Sequence, residues 1–129
     1  MYLEETYGDW TNREMIHQFV EFARVCFSEY KGLVDKWLTF NEINNAFKIP
    51  FAAAGVVSFP PTNPDEPMAD VDEKMIYQAC HHMFVANSLA VKACREIDPE
   101  AHMGVMCSFS HIATYPENSD PENVVGTHL

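Results

Sequence analysis

At 129 residues, with 47% hydrophobic and 21% charged side chains, the chain can bury one ordinary globular core and does not have the composition of a disordered segment. Its 19 acidic and 8 basic residues give a formal net charge of −11, so its surface repels a phosphate backbone or an anionic bilayer, and neither nucleic acid nor a membrane surface is expected as a partner. Cys26, Cys80, Cys94 and Cys107 are scattered without Cys-x-x-Cys spacing, which reads as buried free thiols in a reducing compartment. The amino terminus is acidic and no stretch approaches the length of a membrane span, so a cytoplasmic location is expected.

Residues Met1 to Trp10 form a short polar and aromatic lead-in with a turn at Gly8-Asp9. Thr11-Asn12-Arg13-Glu14 fits a capping box, in which a hydroxyl takes a free backbone amide and the glutamate three places on reaches back. Met15, Ile16, Phe19, Val20, Ala23, Cys26, Phe27 and Tyr30 then recur at three and four residue spacing, which predicts a helix that buries one face and stops near Gly32.

Val34 to Phe40 has the β-branched and aromatic content of a buried strand and ends abruptly at Asn41-Glu42-Ile43-Asn44-Asn45. From Ile43 to about Val71 no convincing period appears. Five prolines and the run Ala52-Ala53-Ala54-Gly55 read as a long loop, a feature that tends to be functional in compact domains.

A second helix is predicted from about Asp72 to Ile97, with Met75, Ile76, Ala79, Met83, Ala86, Ala90, Ala93 and Ile97 on its buried face, an aspartate cap and Pro99 as the stop. His102 to Phe109 is a second apolar run of strand length. Ser119-Asp120-Pro121-Glu122 reads as the start of a third helix. Helix, strand, helix, strand and nascent helix make an α/β chain with parallel strands and crossover helices. Two parallel strands leave both edges open, so the pattern is that of an excerpt from something larger.

Among the residues able to carry chemistry, His81-His82 is the tempting metal pair, but neighbours on a helix point about 100° apart and cannot share one ion unaided. The other histidines, His17, His102, His111 and His128, have no partner at ligand spacing. Gly8, Gly32, Gly55 and Gly104 form no phosphate cradle, and Ser108 and Ser110 lack the glycine-flanked elbow of a hydrolase nucleophile.

Glu42 stands apart. A carboxyl at the end of a strand, next to an asparagine and bounded by aromatics, can be partly desolvated and so suited to donate a proton near neutral pH. Asn41 brings both a donor and an acceptor, as recognition of a sugar hydroxyl requires. Adjacent strand residues point to opposite faces, so both side chains can reach one pocket only if the chain leaves the regular pleat at this point.

With these residues in view, the chain resembles the family 1 glycoside hydrolases, and within them the bacterial 6-phospho-β-glucosidases. Tyr7-Gly8-Asp9-Trp10-Thr11-Asn12-Arg13 resembles the stretch after the third barrel strand, and Trp37-Leu38-Thr39-Phe40-Asn41-Glu42 the acid/base signature. Ile43-Asn44 is similar to the phospho-glycosidase branch. His81-His82 with Val85 to Val91 is like the fourth barrel helix.

The resemblance implies that residues 1–129 are a fragment of a single TIM-barrel glycosidase domain, a partial (β/α)8 barrel running from just after the third strand to just after the fifth, with Met1 at an internal position. A complete barrel needs about 250 residues. It further implies a retaining hydrolase that uses no metal or other cofactor. Its small-molecule substrate would be a β-glycoside, in the phospho branch a 6-phosphorylated disaccharide.

Glu42 then matches the acid/base and Asn41 the residue near the sugar 2-hydroxyl. The family's nucleophile is a glutamate followed by asparagine and glycine, and no Glu-Asn-Gly occurs here, so the isolated chain is expected to be inactive. A plain β-glucosidase or a 6-phospho-β-galactosidase parent would fit the same residues. A non-catalytic chain that pairs with a complementary barrel half is the reading from another class, and either way the remainder of the barrel or a complementary chain is the expected partner.

Overall fold

The computed structural model describes residues 6–55, 72–108 and 118–128. Among the described residues, the first helix of more than a turn, α1, spans Glu14–Glu29. The expected capping box is not formed. Thr11 instead turns back on Asp9, whose Oδ1 accepts from the Thr11 amide at 2.8 Å and from its hydroxyl at 2.5 Å. Asn12 supplies the cap, with Oδ1 accepting from the Glu14 amide at 3.0 Å. Asp9, two residues upstream, takes the Thr11 amide that the glutamate side chain would receive in the box, since the Asx turn closes a shorter loop, and Asn12 takes the Glu14 amide meant for the hydroxyl.

At its other end α1 unwinds through Tyr30, whose carbonyl accepts from both Leu33 and Val34. Gly32 sits between them at φ 76°, the left-handed conformation that glycine adopts without steric penalty. Val34 is still engaged in this turn, which is why the first strand, β1, begins later than its composition suggests and spans Lys36–Asn41.

The segment after β1 is more regular than its sequence indicated. A 3-10 turn covers Ile43–Asn45 and a one-turn helix, α2, covers Pro50–Ala54, with proline at the first helical position where its missing N–H is not needed. The remainder of the expected loop, residues 56–71, lies outside the described residues.

The long helix α3 spans Glu73–Ile97 and is capped as expected, Asp72 accepting from the Lys74 amide at 3.0 Å. Lys31 donates to the Ile97 carbonyl at 2.5 Å, satisfying one of the orphan acceptors at its far end. The second strand, β2, spans His102–Met106, and α4 spans Pro121–His128, starting at the proline that announced it. Phe109, the expected end of the second strand, is not among the described residues.

β1 and β2 pair in parallel, with α3 as the crossover between them. Trp37 and Met103 are register partners, and both pack into a cluster formed by Ala23 and Phe27 of α1 with Ala90, Ala93 and Cys94 of α3. The alanines keep the two helices close, while the aromatic volume comes from Phe27, Phe19 and Trp37. A second cluster joins Ile43 and Ala46 of the 3-10 turn, Ala53 and Ala54 of α2, and Ile76, Ala79 and Met83 of α3.

The helical faces predicted from spacing are largely those buried, with Tyr30 and Met75 as exceptions at 51% and 41% exposure. Tyr30 lies past the helical end, and Met75 lies in the first turn of α3. All four cysteines are free, yet only Cys94 is fully buried and Cys107 is exposed, so the expectation of four buried thiols holds for one. Burial raises the Cys80 thiol, and burial together with the Asp98 carboxylate raises that of Cys94. Among the described residues no helix is long and apolar enough to cross a membrane.

Candidate active site

The register of the two strands shows where the pleat breaks. Leu38 pairs with Gly104 and Asn41 with Met106, so three steps on β1 match two on β2 and one extra residue is held on β1. The contacts locate the irregularity at Thr39-Phe40. Trp37 meets α1 through a T-shaped contact with Phe27 at 5.1 Å between ring centroids. Thr39 faces the helices as the pleat requires, its hydroxyl donating to Asn87 Oδ1 of α3 at 2.6 Å.

Phe40 faces them too, stacked on Phe19 of α1 at 4.7 Å and edge-on to Trp10 at 5.3 Å. Two consecutive residues on one side cannot occur in a regular strand. The bulge thus brings Phe40 into an aromatic cluster with Trp10 and Phe19 on the helix-facing side of the strand.

Glu42 follows immediately and leaves extended geometry altogether, at φ 49° and ψ 41°. It is the one non-glycine residue with positive φ among the described residues. A side chain in this left-handed region costs about 1–2 kcal/mol, so the conformation persists only where neighbours hold it. They do so at several points.

The Glu42 amide donates to the Met106 carbonyl at 2.9 Å, and the Glu42 carbonyl accepts from the Asn45 amide at 2.8 Å. Just beyond, Asn44 acts as a side-chain extension of the ladder. Its Nδ2 donates to the Ser108 carbonyl at 2.7 Å and its Oδ1 accepts from the Ser108 amide at 3.0 Å. The carboxylate is half-buried, with Oε2 accepting from Asn45 Nδ2 at 3.2 Å. Asn41 is exposed at the open end of the strand. The departure from the pleat that a shared pocket requires is therefore present, once as a bulge and once as the left-handed turn at Glu42.

The loop before α1 is fixed beside this cluster by a histidine. His82 of α3 is buried, with Nδ1 2.8 Å from the Trp10 carbonyl and Nε2 2.8 Å from Gln78 Nε2. The carbonyl can only accept, so the ring hydrogen is on Nδ1 and Nε2 accepts from the Gln78 amide. Gly55, at φ 55°, lies against the Trp10 ring, where a Cβ would come within 3.3 Å of Cδ1. His81 is exposed, so the adjacent histidines diverge as helix geometry requires. No group of three potential metal ligands occurs among the described residues.

Sequence reasoning singled out Asn41 and Glu42. It did not identify the supporting roles of Asn44, Asn45, His82 and the Thr39–Asn87 pair. The run Asn44-Asn45 was the available signal, because asparagine in a turn commonly closes side-chain to backbone bonds.

The model described as glycosyl hydrolase family 1 matches residues 1–128. The 6-phospho-beta-glucosidase of Dickeya chrysanthemi is 42% identical over 123 residues, which are 95% of this chain and 24% of the relative. The 6-phospho-beta-glucosidase AscB of Escherichia coli is 40% identical over 124 residues, 96% of this chain and 24% of the relative. The chain thus spans about a quarter of the length of these curated relatives. Among solved structures, the family 1 β-glucosidase from Thermotoga maritima superposes with a TM-score of 0.64 at 25% identity, covering 98% of this chain and 25% of that one. Matched from end to end by the family's model, and sharing two fifths of its residues with two bacterial members, the chain belongs to glycosyl hydrolase family 1.

Proposed function

We propose that this chain supplies the acid/base half of a retaining β-glycosidase site, with Glu42 as the acid and then the base and Asn41 as the ligand near the sugar 2-hydroxyl. The observation that carries the proposal is the conformation of Glu42. A carboxylate is held in left-handed geometry at the carboxyl end of a parallel strand by bonds to Met106 and Asn45. In parallel α/β architectures that end of the strand faces the ligand.

In the proposed reaction the protonated Glu42 gives its proton to the glycosidic oxygen as the bond to the sugar breaks. A second carboxylate about 5–5.5 Å away takes the sugar, and the Glu42 carboxylate then removes a proton from the water that releases it. The second carboxylate belongs to the rest of the barrel, because the Glu-Asn-Gly of the family nucleophile is absent from this sequence.

Residues 1–129 are accordingly read as part of a single (β/α)8 domain. The exposed apolar side chains Leu38, Val105 and Met106 on the two strands support this reading, since closure of the sheet into a barrel ringed by helices would cover both of its faces. The small-molecule substrate is a β-glucoside. The names of the bacterial relatives favour one phosphorylated at the 6-position of the sugar.

The reading is tested in two settings with a chromogenic 6-phospho-β-glucoside. The isolated 129-residue chain is expected to give no turnover above the Glu42→Gln control, and Glu42-dependent hydrolysis by the isolated chain would overturn the half-site assignment. Grafted in place of the matching 123 residues of the Dickeya chrysanthemi relative, the same chain is expected to restore hydrolysis. A folded graft that leaves the substrate untouched would count against the assignment as a whole.

A further inference from the structure

Which of the two carboxylate oxygens of Glu42 carries the proton is not fixed by the strand or the bulge, which act on the backbone alone. The groups that meet the side chain decide it. Oε2 accepts from Asn45 Nδ2 at 3.2 Å, three residues along the 3-10 turn. A primary amide nitrogen has hydrogens and no acceptor lone pair, so the oxygen it faces keeps its lone pair directed at that hydrogen.

Asn45 is itself half-buried and held by its backbone. Its amide donates to the Glu42 carbonyl at 2.8 Å, and its carbonyl accepts from the Lys48 and Ile49 amides, each at 2.9 Å. The side-chain amide is therefore presented to the carboxylate by a closed turn, not by a flexible arm.

We propose that Asn45 is a positioning residue for Glu42: its amide occupies Oε2, so the transferable proton resides on Oε1, and the bond tightens when the carboxylate is formed. This inference rests on the reading of Glu42 as the acid/base and adds to it the identity of the donating oxygen. Asn44 has a different part. Its amide closes on the Ser108 backbone and ties the strand ends together without touching the carboxylate. Two adjacent asparagines thus divide the work, one fixing the chain and one fixing the acid.

The bond is read directly in the 15N-labelled 129-residue chain by following side-chain amide resonances as the solution is acidified. One Asn45 amide proton is expected to move with a single protonation step while the Asn44 protons, bonded to a backbone carbonyl that does not titrate, stay in place, because a hydrogen bond to an ionised acceptor is stronger than one to a neutral oxygen. In Glu42→Gln the Asn45 movement is expected to fall to the Asn44 level. The fixed Asn44 signals report that the variant retains the strand-end fold.

An Asn45 resonance that moves no more than Asn44, or that moves equally in Glu42→Gln, overturns the inference. These signals do not depend on turnover. A flat titration together with Glu42-dependent hydrolysis in the graft would remove the role of Asn45 alone. A Glu42-linked titration with hydrolysis of an alkyl 6-phospho-β-glucoside by the graft indifferent to Glu42 would remove the reading beneath it.

Discussion

In the grafted barrel, Glu42→Gln lowers kcat/KM for an alkyl 6-phospho-β-glucoside by about 10²–10⁴-fold, the range that general acid catalysis supplies. An alkoxide is a poor leaving group and needs the proton as the bond breaks. A dinitrophenolate leaves without one, so kcat/KM for the dinitrophenyl substrate stays within about tenfold of the unmodified graft. The contrast is the informative part. A variant that had merely disturbed the strand end, with its bulge and left-handed turn, would lower both substrates together. Equal losses on the two would therefore contradict the assignment of Glu42 as the acid.

Phe27→Ala is expected to destabilise the isolated chain by about 3–5 kcal/mol, read as a lower midpoint in chemical denaturation. Phe27 is 4% exposed and sits where α1, α3 and β1 meet, edge-on to Trp37 and among Ala23, Ala90, Ala93 and Cys94. The surrounding alanines have no rotamers with which to fill the space, so the cavity remains. Set against a typical total of about 5–15 kcal/mol, the loss is a substantial share of the margin. Phe22, on the same helix but 66% exposed, provides the comparison, and Phe22→Ala is expected to change stability by no more than about 0.5 kcal/mol. A Phe27→Ala effect as small as that of Phe22→Ala would contradict the packing of the two helices on the sheet.

The elements that spacing revealed are those whose burial is periodic. α1 and α3 follow their apolar stripes closely, and Asp72 and Pro121 mark helix starts because capping and proline act through bonds within a few residues. The capping box at Thr11 failed for an equally local reason, since the pattern took no account of Asp9 as a rival acceptor for the Thr11 amide or of Asn12 as one for the Glu14 amide. α2 was not read because one turn of helix is too short to display a period, and its alanines are buried through contact with α3, which is remote in sequence.

At the site, the strand end and its carboxylate were legible, and so was the need to leave the pleat. The means were not. The bulge at Thr39-Phe40 depends on Asn87 and Phe19 being in place to hold two consecutive side chains on one side. His82 illustrates the same limit. As one of an adjacent pair it reads as a weak metal ligand, and only the fold brings the Trp10 carbonyl to its Nδ1.

The central claim, that Glu42 acts as acid and base and not as nucleophile, is tested most directly by chemical rescue. In the Glu42→Ala graft acting on the dinitrophenyl substrate, glycosylation proceeds while release by water lacks its base. Azide is a small anion that attacks without proton removal and fits the space left by the carboxylate. Turnover is expected to recover by at least about tenfold on adding azide, restoring part of what the base supplies. The product is expected to be the β-glycosyl azide, since inversion occurs once at the nucleophile and once at azide. Absence of recovery would contradict the account, and an α-glycosyl azide would identify Glu42 as the nucleophile instead.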